Sequence, residues 1–280
     1  MASGGLTKQP IGVNEHDRVF ERVLVDVDIL GGSVVSWKID RRYMKFNTTP
    51  QFYLEWAESP TATFIQVAGP TAGNLLVDSA RRIYSKTKHS VYRVKLVVDT
   101  NMYYSSYVEG TGSLNRHDYL LAKEIVRREF MLLNRYVGSQ GKLLIRKTWG
   151  TECTNCIDFG TGEPTNSNCT VCYGTGFVGG YYPAMPLLLE LAPREHKETV
   201  VEPRGTIADR SIYAKGVACP YLTSRDVWVA PETGERWFIQ GKKEMASVRG
   251  KPLVWMVELK LIEPDNSVYN VPLTDESSSS

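Results

Sequence analysis

No stretch of this 280-residue chain stays apolar for the length that a membrane span requires. Its opening residues, Met1 to Asn14, lack the apolar segment of a secretory leader. Both absences lead to the expectation of a soluble protein made in a cytoplasm, with no membrane partner. Charge of one sign is also lacking: 33 Lys and Arg stand against 31 Asp and Glu, a net charge of +2. Bulk electrostatics therefore gathers neither nucleic acid nor anionic lipid, and any such contact must come from a local patch. Catalytic signatures are missing too. There is no phosphate-cradling Walker loop, no dinucleotide fingerprint, no G-x-S-x-G elbow and no H-E-x-x-H. No catalytic residue is assigned, and an enzyme is not expected. Asp26 and Asp28 alternate along an expected strand and read as solvent-facing.

Cysteine is scarce but concentrated. Of five, four form two C-x-x-C pairs, Cys153/Cys156 and Cys169/Cys172, with twelve residues between Cys156 and Cys169. Two tight pairs at this spacing let four thiolates converge on one tetrahedral ion, and they fit metal ligation better than a disulfide framework. The reading is a zinc knuckle with four cysteine ligands. Four sulfurs leave the ion no open position, so the zinc is structural. Cys219, beside Pro220, reads as a buried small hydrophobe, and His117 as a surface residue rather than a fifth ligand. Lys142, Arg146 and Lys147 form a small basic cluster next to the metal segment.

The rest of the chain predicts a mainly β protein with one long helix. Residues 1–17 are polar, rich in Gly and without periodicity, and read as an N-terminal arm. Over 18–112, short β-rich runs alternate with turn residues: Val23 to Ile29, Val34 to Ile39, Phe52 to Trp56, Phe64 to Val67, Leu75 to Val77 and Val91 to Val98. Their period of two suits the half-buried strands of a two-sheet sandwich. Residues 113–138 carry the helix. Ser113 or Asn115 can cap it, Asp118 sits near its positive end, apolar residues run through to Val137, and Gly138 ends it. The apolar stripe is wide enough to touch more than one partner.

Residues 139–183 form the zinc-knuckle domain, with Gly138 to Gly141 as a break and Leu143 to Lys147 as a strand leading in. Residues 184–273 read as a small β-barrel or sheet with a long loop from Pro193 to Asp209. Its strand signals are Leu187 to Leu191, Asp226 to Ala230, Arg236 to Gln240 and Pro252 to Ile262, and Pro231 to Glu235 supplies a hairpin turn. The acidic, Ser-rich residues 274–280 read as a disordered tail.

Three resemblances accompany this reading. The runs V-V-S-W-K-I, F-Y-L-E-W-A-E-S and V-Y-R-V-K-L-V resemble the B, C and F strands of a fibronectin type III or related immunoglobulin-like module, with Tyr92 as its corner tyrosine. The tail C-Y-G-T-G after Cys172 resembles the cysteine-rich repeat of DnaJ-type chaperones; the first pair lacks that tail and no J-domain H-P-D occurs. The runs K-L-L-I-R-K-T-W-G-T-E-C-T-N-C, C-T-V-C-Y-G-T-G-F-V-G-G-Y-Y-P, D-V-W-V-A-P-E-T-G-E-R-W-F-I-Q and L-K-L-I-E-P-D-N-S-V-Y-N-V-P resemble the zinc-containing virion proteins of tailed bacteriophages. The D-V-x-V…G-x-R-W-x-I pattern is similar to the β-barrel of head-completion or stopper proteins. That resemblance implies a structural neck or head–tail connector protein, ring-forming with itself around the DNA channel. Portal or adaptor, tail terminator and collar proteins would be its neighbours, with DNA only as channel contents. It implies location in the virion after synthesis in the bacterial host cytoplasm. The alternative is a zinc-ribbon nucleic-acid-binding protein that uses Lys142, Arg146 and Lys147 on phosphates.

Overall fold

A computed structural model describes residues 19–27, 33–40, 49–80, 90–98, 101–110, 114–158, 164–192, 200–202, 205–207 and 211–273. The expected arm at 1–17 and tail at 274–280 lie outside the described residues, as does Asp28. No helix among the described residues is long and apolar enough to cross a membrane.

The first half forms two antiparallel sheets. Strands β1 (Phe20–Val27), β2 (Ser33–Ile39) and β5 (Leu75–Asp78) lie in the order β1-β2-β5. Strands β3 (Gln51–Ala57), β4 (Ile65–Thr71), β6 (Val91–Val98) and β7 (Asn101–Tyr104) follow the order β4-β3-β6-β7, and β8 (Val108–Glu109) pairs with β6. The sheets face each other because alternate residues point inward. Val35, Trp37 and Ile39 meet Phe52, Leu54, Val94 and Leu96 in one buried cluster. Trp37 and Phe52 lie 5.0 Å apart. Tyr92 is buried and donates its hydroxyl to Asp78 Oδ2 at 2.7 Å.

The helix α1 (Arg116–Leu132) starts where Asn115 Oδ1 accepts from the Asp118 N–H at 2.9 Å, the cap the sequence offers. Leu133–Val137 continues it as a π-helical turn, so the apolar run to Val137 is not all α-helix. The helix lies against the second half of the chain through Ala122, Val126 and Leu133, which pack with Val217, Val248, Leu253 and Val254. Glu129 pairs with Lys215 at 2.5 Å on this side.

That second half is a closed six-stranded barrel. Its strands are β9 (Ser139–Leu144), β10 (Met185–Ala192), β13 (Ser211–Val217), β14 (Val227–Val229), β15 (Arg236–Val248) and β16 (Lys251–Leu261). They run in the order β10-β13-β16-β15-β14-β9, and β9 closes onto β10. Closure pairs the two end strands with each other and encloses Leu143, Leu189, Trp228, Ile239, Trp255 and Leu259, while β15 beyond Phe238 pairs with β16 alone.

Several sequence expectations change. Gly138 to Gly141 is not a break: β9 begins at Ser139 and ends at Leu144, earlier than the expected Leu143 to Lys147. The segment expected as a zinc-knuckle domain at 139–183 includes β9, and its remainder is an insertion between two adjacent barrel strands, β9 and β10. The loop from Pro193 to Asp209 contains two paired strands, β11 (Val200–Glu202) and β12 (Gly205–Ile207); its other residues lie outside the described set. Strands β7, β8 and β13 have no clear period in the sequence. Strand β15 continues well past Gln240, because bulges near Gly241 and Ala246 let it bend along β16 and interrupt the alternation that period counting needs. Asp26 does not face solvent: it is half-buried, 3.8 Å from Lys251 Nζ. Cys219 is only half-buried.

Candidate metal centre

The insertion at 145–184 has few strands of its own, so its shape comes from turns. Four sulfurs form its core: Cys153, Cys156, Cys169 and Cys172 are all buried, and their Sγ atoms lie within 4.8 Å of one another. Cys153 Sγ is 3.8 Å from Cys169 Sγ, and Cys156 Sγ is 3.0 Å from Cys172 Sγ. With metal–thiolate bonds of about 2.3 Å, a tetrahedral site spaces its sulfurs by about 3.8 Å. The first pair matches that spacing and the second is tighter. All four are free thiols. A soft, closed donor set of this kind can hold one metal ion and offers no open position for a reacting water.

The two halves of the site repeat one pattern of hydrogen bonds. The Ile157 N–H donates to Cys153 O at 3.2 Å, and the Tyr173 N–H to Cys169 O at 2.8 Å. Each second cysteine carbonyl then accepts twice from a threonine. Thr165 donates its N–H at 2.7 Å and its hydroxyl at 2.9 Å to Cys156 O. Thr175 donates likewise to Cys172 O, at 3.0 and 2.8 Å. These threonines fix the chain as it leaves each knuckle. Sequence reading passes over both, because Thr165 stands nine residues after its cysteine and Thr175 three. Gly180 supplies a required backbone shape: its φ is +62°, and a Cβ there would meet Cys172 O at 2.6 Å.

Electrostatics around the sulfurs are uneven. Burial pushes the Cys153 and Cys156 thiols above their ordinary range. Burial also pushes Cys169 upward, but the N–H groups of Cys172 and Val171 outweigh it and bring Cys169 to about 7. Burial disfavours ionisation of Cys153 and Cys156, and a cation at the centre of the four sulfurs would make it favourable.

The insertion is fastened on three sides. Trp149 is buried between the two halves of the molecule, its ring 5.2 Å from Phe52 and 6.2 Å from Tyr182. Asn168 accepts from the Ser267 N–H of the C-terminal segment. Buried Asp226 takes the Arg146 N–H at 2.8 Å on one oxygen, and the Thr223 N–H and hydroxyl, at 2.6 and 2.9 Å, on the other.

Burial raises the Asp226 carboxyl from 3.8 to about 6, against those three donors. Between these two values the folded chain holds the proton more tightly than the unfolded chain. Its contribution to stability therefore grows as pH falls from about 6 toward 4, and it is lost as pH rises back through 6. A shift of this size corresponds to about 3 kcal/mol. Carboxyl carbon NMR should give Asp226 a midpoint near 6, and a midpoint near 4 would contradict this environment.

The sequence-predicted basic cluster is drawn into the fold. Lys142 Nζ donates to Leu273 O at 3.0 Å, Lys147 Nζ to Val178 O at 3.0 Å, and Arg146 Nη2 to Thr175 O at 3.5 Å. His117 is exposed on the helix and far in sequence from the four sulfurs, as expected. No protein-family model matches the chain, and no curated protein matches it.

Proposed function

We propose that this is a structural protein of the head-to-tail region of a tailed-phage virion, synthesised in the host bacterial cytoplasm and assembled as a ring of identical copies. The observation that carries the reading is on the helix. One face covers the barrel, while Leu121, Leu132 and Tyr136 form a second apolar row that is 45%, 40% and 78% exposed. Rows of this kind serve as contacts between chains. A ring of identical copies supplies a heterologous neighbour for each such row, and portal, tail terminator or collar proteins occupy the ring's two ends.

The ion is zinc, which prefers four thiolates in closed tetrahedral sites. Its role is structural, and the protein is not an enzyme. The paired sheets are a fibronectin III/Ig-like module. Two sheets in the orders β1-β2-β5 and β4-β3-β6-β7, with a buried corner tyrosine on β6, support that assignment. The Tyr92 hydroxyl meets a carboxylate rather than a backbone carbonyl. The closed barrel supports the stopper-like part of the resemblance.

The alternative, a zinc-ribbon nucleic-acid-binding protein, has less behind it, because Lys142, Arg146 and Lys147 each donate to a backbone carbonyl. A gel shift that weakened steeply with salt would favour it.

Native mass spectrometry of the purified protein, with proteomics of purified virions, tests the main reading. Wild-type protein should form a closed ring, and Leu121→Glu with Tyr136→Glu should reduce it to monomer with little change in melting temperature, since both side chains are exposed. A strictly monomeric wild-type protein that is absent from virions would sink the reading.

A further inference from the structure

Among the described residues three non-glycines adopt left-handed backbone: Tyr173 at φ 52°, Arg225 at φ 71° and Arg249 at φ 51°. Arg249 sits in the turn between β15 and β16. The other two line a single cavity of about 580 Å³ between the second knuckle and the barrel mouth. Such backbone is costly for a residue with a Cβ, and residues held in it cluster where a ligand is bound. Glycine would make the knuckle turn at 173 without strain, so what the tyrosine adds is a ring that packs on the cluster of Leu144, Tyr181 and Val227 and also lines the cavity.

The lining is selective. Arg146 and Arg225 line the space, and no acidic residue among the described residues does. Asp226, next in sequence to Arg225, is buried, and its oxygens accept from the Arg146 N–H and from the Thr223 N–H and hydroxyl. Tyr173, Tyr181 and Phe238 add aromatic lining and Gln240 an amide donor and acceptor, while Asn266, whose Oδ1 accepts the Val268 N–H at 2.9 Å, adds its NH2 as donor. The volume lies in the range of small-molecule sites, roughly 300–1,000 Å³. Lys142 and Lys147, the other members of the basic cluster, do not line the space and are held on backbone carbonyls.

We propose that this cavity binds a single free nucleoside phosphate, with the phosphate on Arg225, Arg146 adding positive charge beside it while it holds Thr175 O, the base against the aromatic wall and its edge met by Gln240 and the Asn266 NH2 group. Guanidinium forks suit phosphate oxygens, and ring faces suit a base. The proposal goes beyond the virion reading and does not depend on it.

Calorimetric titration with AMP tests it, with inorganic phosphate, adenosine and a short single-stranded oligonucleotide as separate arms. AMP should bind saturably with one site per chain, and phosphate and adenosine each about tenfold or more weaker, since each loses one half of the contacts. Arg225→Asn should weaken AMP by about tenfold or more without lowering the melting temperature, because asparagine tolerates left-handed backbone. Tyr173→Gly should weaken AMP to a similar degree by removing the ring, with some loss of melting temperature because that ring also packs on the cluster of Leu144, Tyr181 and Val227, and Arg249→Asn should leave binding unchanged. Absence of saturable binding at millimolar AMP would overturn the proposal. So would AMP affinity that survives Arg225→Asn, phosphate binding as tightly as AMP, or an oligonucleotide that binds more tightly than AMP.

Discussion

Cys172→Ser should cost the protein its metal, one equivalent per chain, and with it the structure of residues 148–180. Cys172 is fully buried, and its sulfur is one of four that converge. A serine hydroxyl is a poor, hard substitute in a site built from soft thiolates. Metal binding in small zinc domains contributes on the order of 10 kcal/mol to folding, and this insertion has little else. Beyond the sulfurs, its order rests on turns, on the isolated bridges Arg146↔Tyr181, Glu152↔Phe177 and Ile157↔Pro164 among the described residues, and on the fastenings at Trp149, Asn168 and Asp226.

The barrel has a different dependence. β9 and β10 pair directly, from Met185↔Leu143 to Leu189↔Ser139, with the insertion as their connecting loop. A loosened loop costs little extra closure entropy, so the barrel should persist. Hydrogen exchange should therefore show fast amides between Thr148 and Gly180, beyond the ladder that Ile145–Lys147 and Gly180–Tyr182 continue, beside protected amides in β13 and β16, with metal analysis reporting the lost ion. Because Trp149 leaves with the insertion, contacts of Phe52 with it should also loosen. Full protection of 148–180 in the metal-free variant would refute the role of the metal as the staple of this segment. Global unfolding would refute its separability from the barrel.

Gly141→Ala should destabilise the barrel by about 3 kcal/mol or more, toward or beyond the upper end of overpacking effects. Gly141 is buried in the middle of β9, and a Cβ there would meet Trp228 Cε2 and Nε1 at 2.4 Å and Val229 O at 2.5 Å. Trp228 is completely buried and Val229 O is backbone, so neither can yield cheaply. Denaturant unfolding should show a lowered midpoint with the metal still bound. An unchanged midpoint would mean that β14 can shift outward, against the closed register Val227↔Leu144 to Val229↔Lys142.

This glycine also shows how far local sequence reading reaches. G-S-Q-G invites a turn, since glycine is the residue of turns. Here it makes room for an indole that arrives from 87 positions later, 228 minus 141, and no local pattern encodes that approach. The same limit explains β13: Ser211 to Val217 lacks alternation because one face lines the barrel while Val217 packs under the helix. Asp226 reads as an ordinary strand residue, yet it pins the start of the insertion.

Sequence alone determined the features whose physics is local. Two C-x-x-C pairs bring four sulfurs together because each pair is already a ligand unit, and the fold places all four within 4.8 Å. Asn115 caps the helix because the cap is a contact three residues long. The mainly β character with one long helix followed from periods of two and of 3.6 residues. Tertiary structure decided what depends on distant segments meeting: the closure of six strands, the placing of the metal segment inside the barrel's own hairpin, and the two threonines that repeat one another behind the sulfurs. It also turned three basic side chains inward to carbonyls and set two strained residues on one cavity wall. Each of these is fixed by loop closure and packing between residues far apart in the chain, where no spacing in the sequence can record it.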